Sequence, residues 1–163
     1  RREQGCQRVV RGQGEPALQD ALLDAATRRP DAVAVFVDFN EALAHSIEAG
    51  ADVFLMPSRF EPCGLNQMYS QAYGTLPVVH ATGGLADSVE DVKLGAEGVT
   101  GTGFVMPEPT VSALQHALQR ALALFAQPQD WRRVQEQGMA RDFGWESSAR
   151  AYEGVYRGIL AGR

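Results

Sequence analysis

Short apolar runs alternate with amphipathic segments along most of this chain, and that alternation sets the expected architecture. "QRVV" (7–10) reads as a short strand, and a helix follows from about Pro16 to Arg28. Leu18, Ala21, Leu22 and Ala25 share one face of that helix, and Pro16 suits its first turn. "VAVFV" (33–37) and "DVFLMPS" (52–58) are continuous apolar runs, the pattern of buried strands. Between them, residues 40–50 carry an N-cap at Asn40 and a terminating glycine at Gly50. A helix is expected from about Leu65 to Tyr73, a strand at 76–81 and a short helix around 85–89. Residues 90–103 read as a glycine-rich mobile loop, and 103–106 as a last short strand.

Beyond Pro107 and Pro109 the pattern turns helical. Val111, Leu114, Leu118, Leu122 and Phe125 line one face of a first helix. A second starts near Pro128, and a third starts near Trp145 and uses Ala149, Tyr152, Tyr156 and Ile159. Trp131, Trp145 and the late tyrosines follow helical spacing and read as core. Strands alternating with helices imply an α/β fold with an open parallel sheet. Ligands of such sheets bind outside the carboxyl ends of the strands, at helix N-termini. The loops at 59–66 and 81–84 fall on that edge.

Composition narrows the choice of ligand. The 163 residues carry a formal charge of −5, and the fifteen Lys and Arg are scattered. That argues against nucleic acid and against electrostatic membrane attachment. It leaves room for an anionic small molecule, because a helix N-terminus holds phosphate without a basic protein. Two cysteines, Cys6 and Cys63, do not suggest a disulfide scaffold. No run reaches the length of a membrane span and no signal peptide opens the chain. The chain begins at Arg1 without methionine, which reads as a fragment or a processed product.

The candidate chemistry centres on "PSRFEPCGLNQMY" (57–69). Glu61 lies just past a strand and just before a helix, where Gly64, Leu65 and Asn66 offer backbone N–H groups. Those donors and the helix dipole favour an anion. The Glu61 carboxylate would repel phosphate, so it suits sugar hydroxyls alongside. Spacing alone leaves open a plainer role, a charge that complements the helix dipole. "ATGGLAD" repeats the plan: a strand, Thr82, then Gly83 and Gly84, which let backbone approach a ligand closely, or simply make a tight turn.

Other motifs carry less. "RGQGE" (11–15) lacks the third glycine of a dinucleotide fingerprint, so a nicotinamide cofactor is not expected. His45, His80 and His116 show no metal-ligand spacing. His80, beside "TGG", is placed to line the pocket. Cys63 has no Cys-His-Asn context for nucleophilic catalysis and reads as a small residue at a tight helix entry.

The stretch "GADVFLMPSRFEPCGLNQMYSQAYGTLPVVHATGGLADSV" (50–89) closely resembles the C-terminal domain of bacterial glycogen synthases and plant starch synthases. "GQGEP" before it and "DFGWESSARAYEGVY" after it extend the resemblance more weakly over nearly the whole chain. The resemblance implies a GT-B fold of two Rossmann-like domains. This chain would be the C-terminal, donor-binding one, with helices on both faces of its sheet. Residues 1–163 would then be a partial nucleotide-sugar-binding domain, with 110–163 as C-terminal helices. It implies retaining transfer of glucose from ADP-glucose to the non-reducing end of an α-1,4-glucan, with no metal or other cofactor. The setting would be cytoplasmic in a bacterium, or a plastid in a plant.

By the same resemblance, Glu61 holds the donor glucose as the catalytic carboxylate. Cys63, Gly64, Leu65 and Asn66 shape the phosphate loop, and Thr82, Gly83 and Gly84 line the same cleft. Phe39 packs on the adenine. This sequence departs from the pattern with Asn66 where many members have threonine, and Phe39 where tyrosine is usual. Tyr69 stands where related transferases outside the family carry a second glutamate. The family's N-terminal domain, which carries most of the glucan acceptor surface, has no counterpart in this sequence. Neither has the first strand and helix of the C-terminal domain, whose loop supplies two cations to the phosphates. The chain alone is therefore expected to be inactive. In the family the C-terminal segment crosses back onto the N-terminal domain, so by the resemblance Tyr152, Tyr156 and Ile159 are expected either to face solvent or to fold onto this domain. Its first and third strands are expected to close the gap by direct pairing or to pair with another molecule. Rival readings keep the fold with a UDP-linked donor or another acceptor, or take the chain as a non-catalytic nucleotide-binding or interaction module.

Overall fold

The computed structural model describes residues 5–96 and 98–162. The predicted span 1–163 and the predicted loop 90–103 thus each include residues outside those described. The elements run β1 (Arg8–Arg11), α1 (Pro16–Arg28), β2 (Val33–Phe36), α2 (Glu41–Gly50), β3 (Val53–Met56), α3 (Asn66–Tyr73) and β4 (Leu76–His80). They continue α4 (Gly83–Ser88), β5 (Lys93–Gly95), β6 (Gly98–Thr100), β7 (Phe104–Met106), α5 (Val111–Phe125), α6 (Pro128–Met139) and α7 (Trp145–Ala161). The chain divides into two units, with the boundary between Ile47 and Glu48.

In the first unit β1 and β2 form a parallel ladder, Arg8 opposite Val33 through Arg11 opposite Phe36. α1 packs on β2. Its predicted bounds hold, but its apolar face does not bury: Leu18 and Leu22 are exposed and no residue of α1 is buried. β2 is likewise half-buried, with Phe36 exposed, where a buried strand was expected. A two-stranded sheet offers too little neighbouring surface to cover both its faces. α2 starts as its sequence predicts: the Leu43 N–H donates to Asn40 Oδ1 at 3.0 Å.

The second unit is built on a parallel sheet of order β3-β4-β7. β4 is buried along its whole length because helices cover both of its faces. On one side Leu76 and Val78 join Phe104, Met106, Ala117, Ala121, Leu124, Trp131 and Val134. On the other, Val79 meets Leu85 and Val89 of the α4 segment. β3 pairs with β4, and its Leu55 is exposed, so it too is less buried than its apolar run suggested. The parallel ladders are β1-β2 within the first unit and β3-β4-β7 within the second.

Three further expectations are corrected. The predicted loop at 90–103 is largely an antiparallel hairpin, with Lys93 opposite Thr100 and Leu94 opposite Val99. Its holding partners come from α6: Gln137 Nε2 donates to Val99 O at 3.1 Å, and Gln137 Oε1 accepts from the Gly101 N–H at 3.0 Å. Asp91 fastens its base, accepting from the Val105 N–H at 2.8 Å and from Arg120 Nη2 at 3.0 Å. In α5 the buried stripe is Ala117, Ala121 and Leu124, while Val111 and Phe125 are exposed. Alanines at helical spacing let α5 lie close on β7, so the larger residues are turned to the flanks.

Trp131 is core, 6% exposed, stacked on Phe104 at 6.5 Å and edge-on to Phe125 at 5.1 Å. Trp145 is not core; it is 86% exposed, and Tyr152, Tyr156 and Ile159 of α7 are also exposed. Helical spacing alone cannot distinguish a stripe that packs from one that stays open. Truncating Trp131 to alanine should cost about 3–5 kcal/mol of stability in urea denaturation. The Trp145→Ala change should stay within about 0.5 kcal/mol.

Candidate functional site

The candidate edge is formed where β3 and β4 end. β3 delivers Pro57 and Ser58 and leads through Glu61 to α3, whose N-cap is Leu65. Regular helical bonding begins with the Met68 and Tyr69 N–H groups, which donate to Leu65 O at 2.9 and 3.0 Å. The N–H groups of Leu65, Asn66 and Gln67 thus stand at the open positive end of the helix dipole. Asn66 is the first residue of α3 and is exposed.

β4 delivers His80, then Thr82 as the N-cap of α4. The glycines that follow meet the other loop. Gly83 has φ +44°, and a Cβ there would collide with the Glu61 carbonyl oxygen. A Cβ on Gly84 would fall 2.6 Å from Cys63 Cα and collide with the Cys63 carbonyl oxygen. The Gly84 N–H donates to Pro62 O at 3.2 Å. The close approach inferred from these glycines is therefore made by the protein's own chain. It brings Glu61, Cys63, Gly64, Leu65, Asn66, Thr82, Gly83 and Gly84 into one cluster.

Glu61 is half-buried, and its Oε2 accepts from the Ser58 hydroxyl at 3.4 Å. Ser58 is anchored in turn: its carbonyl lies 2.7 Å from His80 Nδ1. A carbonyl only accepts, so Nδ1 carries the proton and His80, itself buried, pins the end of β3. The expectation that His80 lines the pocket becomes a supporting role behind Glu61. Cys63 is a free, exposed cysteine whose thiol donates to Gly64 O at 3.4 Å.

A cleft of about 410 Å³ opens beside Cys63, Gln67 and Gly84 and is bounded across from them by Arg141, Asp142 and Phe143. The last three belong to the turn between α6 and α7, which sequence reasoning did not connect with the site. Arg141 is held there by an ion pair with Glu90 and lies 5.7 Å from the Phe143 ring centroid. Glu61, Asn66, Thr82 and Gly83 are not among the residues lining this cleft. Phe39 belongs to the first unit, where its ring is exposed with the Arg11 guanidinium 5.3 Å from its centroid. Asp38 lies 3.8 Å from Arg11 in the same group.

Replacing Gly84 by alanine should destabilise the fold by about 1–3 kcal/mol or more, because rigid backbone fills the space its methyl needs. Gly14→Ala, in open space, is the control and should be near neutral in the same thermal melt.

Comparison with known proteins places the sequence and the fold. The family model of the group 1 glycosyl transferases matches residues 4–137. A glycogen synthase of Cellvibrio japonicus is 51% identical over 159 residues, covering 98% of this chain and 33% of its own. One of Paracidovorax citrulli is 58% identical over 154 residues, covering 94% of this chain and 30% of its own. The chain thus spans about a third of the length of these curated relatives. Among solved structures, the catalytic domain of starch synthase IV from Arabidopsis thaliana, bound to ADP and acarbose, superposes with a TM-score of 0.72 at 29% identity. It covers 98% of this chain and 40% of that one. A sucrose-phosphate synthase from Thermosynechococcus elongatus gives 0.63 at 25% identity, over 96% of this chain and 39% of that one. A parallel α/β unit with backbone donors gathered at its strand ends and a family match across most of the sequence lead to one conclusion: the chain belongs to the group 1 glycosyl transferases.

Proposed function

We propose that this chain is the donor-binding part of a glycogen synthase, which transfers glucose from ADP-glucose to the non-reducing end of an α-1,4-glucan with retention. The observation that carries the reading is the placement of Glu61 beside the open N-terminus of α3, fixed there by the Gly83–Gly84 contact. Breaking the glucose C1–O bond leaves negative charge on the ADP leaving group. Backbone N–H groups at Leu65 and Asn66 and the α3 dipole are suited to stabilise that charge. The Glu61 carboxylate accepts hydrogen bonds from the glucose hydroxyls and so sets the sugar against the reacting bond.

In this reading residues 1–163 are a partial nucleotide-sugar domain, Cys63 and Gly64 shape the phosphate loop, and Thr82, Gly83 and Gly84 complete its wall. Phe39 stacks on the adenine. The reading assigns no metal or other cofactor, a glucan that binds mainly outside this chain, and a bacterial cytoplasmic setting. The bacterial glycogen synthases support it, and so does a structural neighbour holding ADP and acarbose.

Because the chain spans about a third of its relatives, the test reads binding rather than turnover. Calorimetric titration with ADP-glucose and ADP should show Glu61→Ala losing about 1.5–3 kcal/mol for ADP-glucose, tenfold or more. ADP affinity should hold. Equal losses for both ligands would sink the assignment of Glu61 to the sugar, and tighter binding of UDP-glucose than ADP-glucose would change the donor.

A further inference from the structure

Gln67, the second residue of α3, is completely buried. Its side-chain amide donates to Cys63 O at 3.1 Å, Gly64 O at 3.1 Å and Ser88 Oγ at 3.0 Å. The Ser88 hydroxyl donates to Gly84 O at 2.5 Å. One turn further, Gln71 donates to Gln67 O at 3.0 Å and Ser88 O at 3.1 Å. The orientation of the Gln67 amide is fixed by chemistry: Cys63 and Gly64 present carbonyls, which cannot donate, so the NH₂ must face them. Its oxygen is left buried without a partner among the described residues.

The consequence falls on the peptide planes. In a trans peptide the carbonyl of one residue and the N–H of the next point in opposite directions. Drawing the Cys63 and Gly64 carbonyls inward therefore turns the Gly64 and Leu65 N–H groups away from Gln67. Two successive planes can point the same way only across an unusual backbone angle, and Gly64 supplies it with φ +71°. Successive N–H groups arranged like this form an anion-binding concavity.

We propose that Gln67 is a positioning residue: by capturing the Cys63 and Gly64 carbonyls it presents the Gly64 and Leu65 N–H groups as a paired cradle for the donor diphosphate. Ser88 locks that cradle to α4. This rests on the reading above that the diphosphate sits at the N-terminus of α3.

The test titrates the 163-residue chain with ADP and with adenosine, which lacks the phosphates, following backbone amide resonances. Gln67→Glu keeps the shape and removes the donor, and Gln67→Met removes polarity as well. Both should weaken ADP by about tenfold or more while leaving adenosine unchanged, and should shift the Gly64 and Leu65 amides. Ser88→Ala should show the same selectivity to a smaller degree, and it decides the matter if the Gln67 variants do not fold. Unchanged ADP affinity in a folded variant overturns the proposal. So do parallel losses for ADP and adenosine, which mark a purely structural role. If the wild-type chain binds adenosine as tightly as ADP, the diphosphate reading itself has failed, and this inference falls with it.

Discussion

A Cβ at Gly83 or Gly84 would occupy space already filled by the peptide backbone from Glu61 to Cys63, and the geometry of the site is set by that contact. Two loops that leave neighbouring strands touch backbone to backbone, which no side chain would permit. The register of the two loops is consequently as rigid as the sheet beneath them. β4 is buried throughout, so its end, and His80 with it, is held by packing on both faces. Ser58 and then Glu61 inherit that position through hydrogen bonds. The carboxylate is thus located by the core of the unit rather than by its own flexible loop.

The polar network beneath the loops is costly. Gln67 and Gln71 each leave a buried carbonyl oxygen without a partner among the described residues. Groups of that kind cost about 1–3 kcal/mol each. An apolar pair at these positions would spare that cost but could not hold the carbonyls of Cys63, Gly64 and Ser88. Fixing the direction of a peptide plane requires a donor at a defined point, and dispersion contacts do not supply one. If the diphosphate sits as proposed, the groups that face it are backbone dipoles, which hold a phosphate without a basic protein, and a net charge of −5 is no obstacle.

Local signals in the sequence carried the elements they encode. Pro16 at a first turn and Asn40 as a cap both appear where their chemistry places them. The cluster from Glu61 to Gly84 was legible because strand, loop and helix N-terminus follow one another within each half. Less legible was anything decided by a distant partner. The pairing of β5 with β6 depends on Gln137 and Asp91, so the glycines there suggested only a loop. The buried stripe of α5 is set by how closely it lies on β7, which favours Ala117 and Ala121 over larger neighbours. Gln67 and Gln71, spaced as a polar helix face, gave no sign that they are interior. Nor did the spacing of Trp145, Tyr152 and Tyr156 reveal that their stripe lies open to water.

The unlike surroundings of the two tryptophans give the molecule a built-in optical division. Trp131 sits among Phe104 and Phe125 inside the core, whereas Trp145 begins α7 in water. An indole in an apolar interior emits at shorter wavelength than one in solvent. The blue part of the emission therefore follows the integrity of the sheet unit, and the red part follows the first turn of the last helix. Covering of α7 by another surface would register on the red edge alone, so events at the helix and events in the core separate in one spectrum.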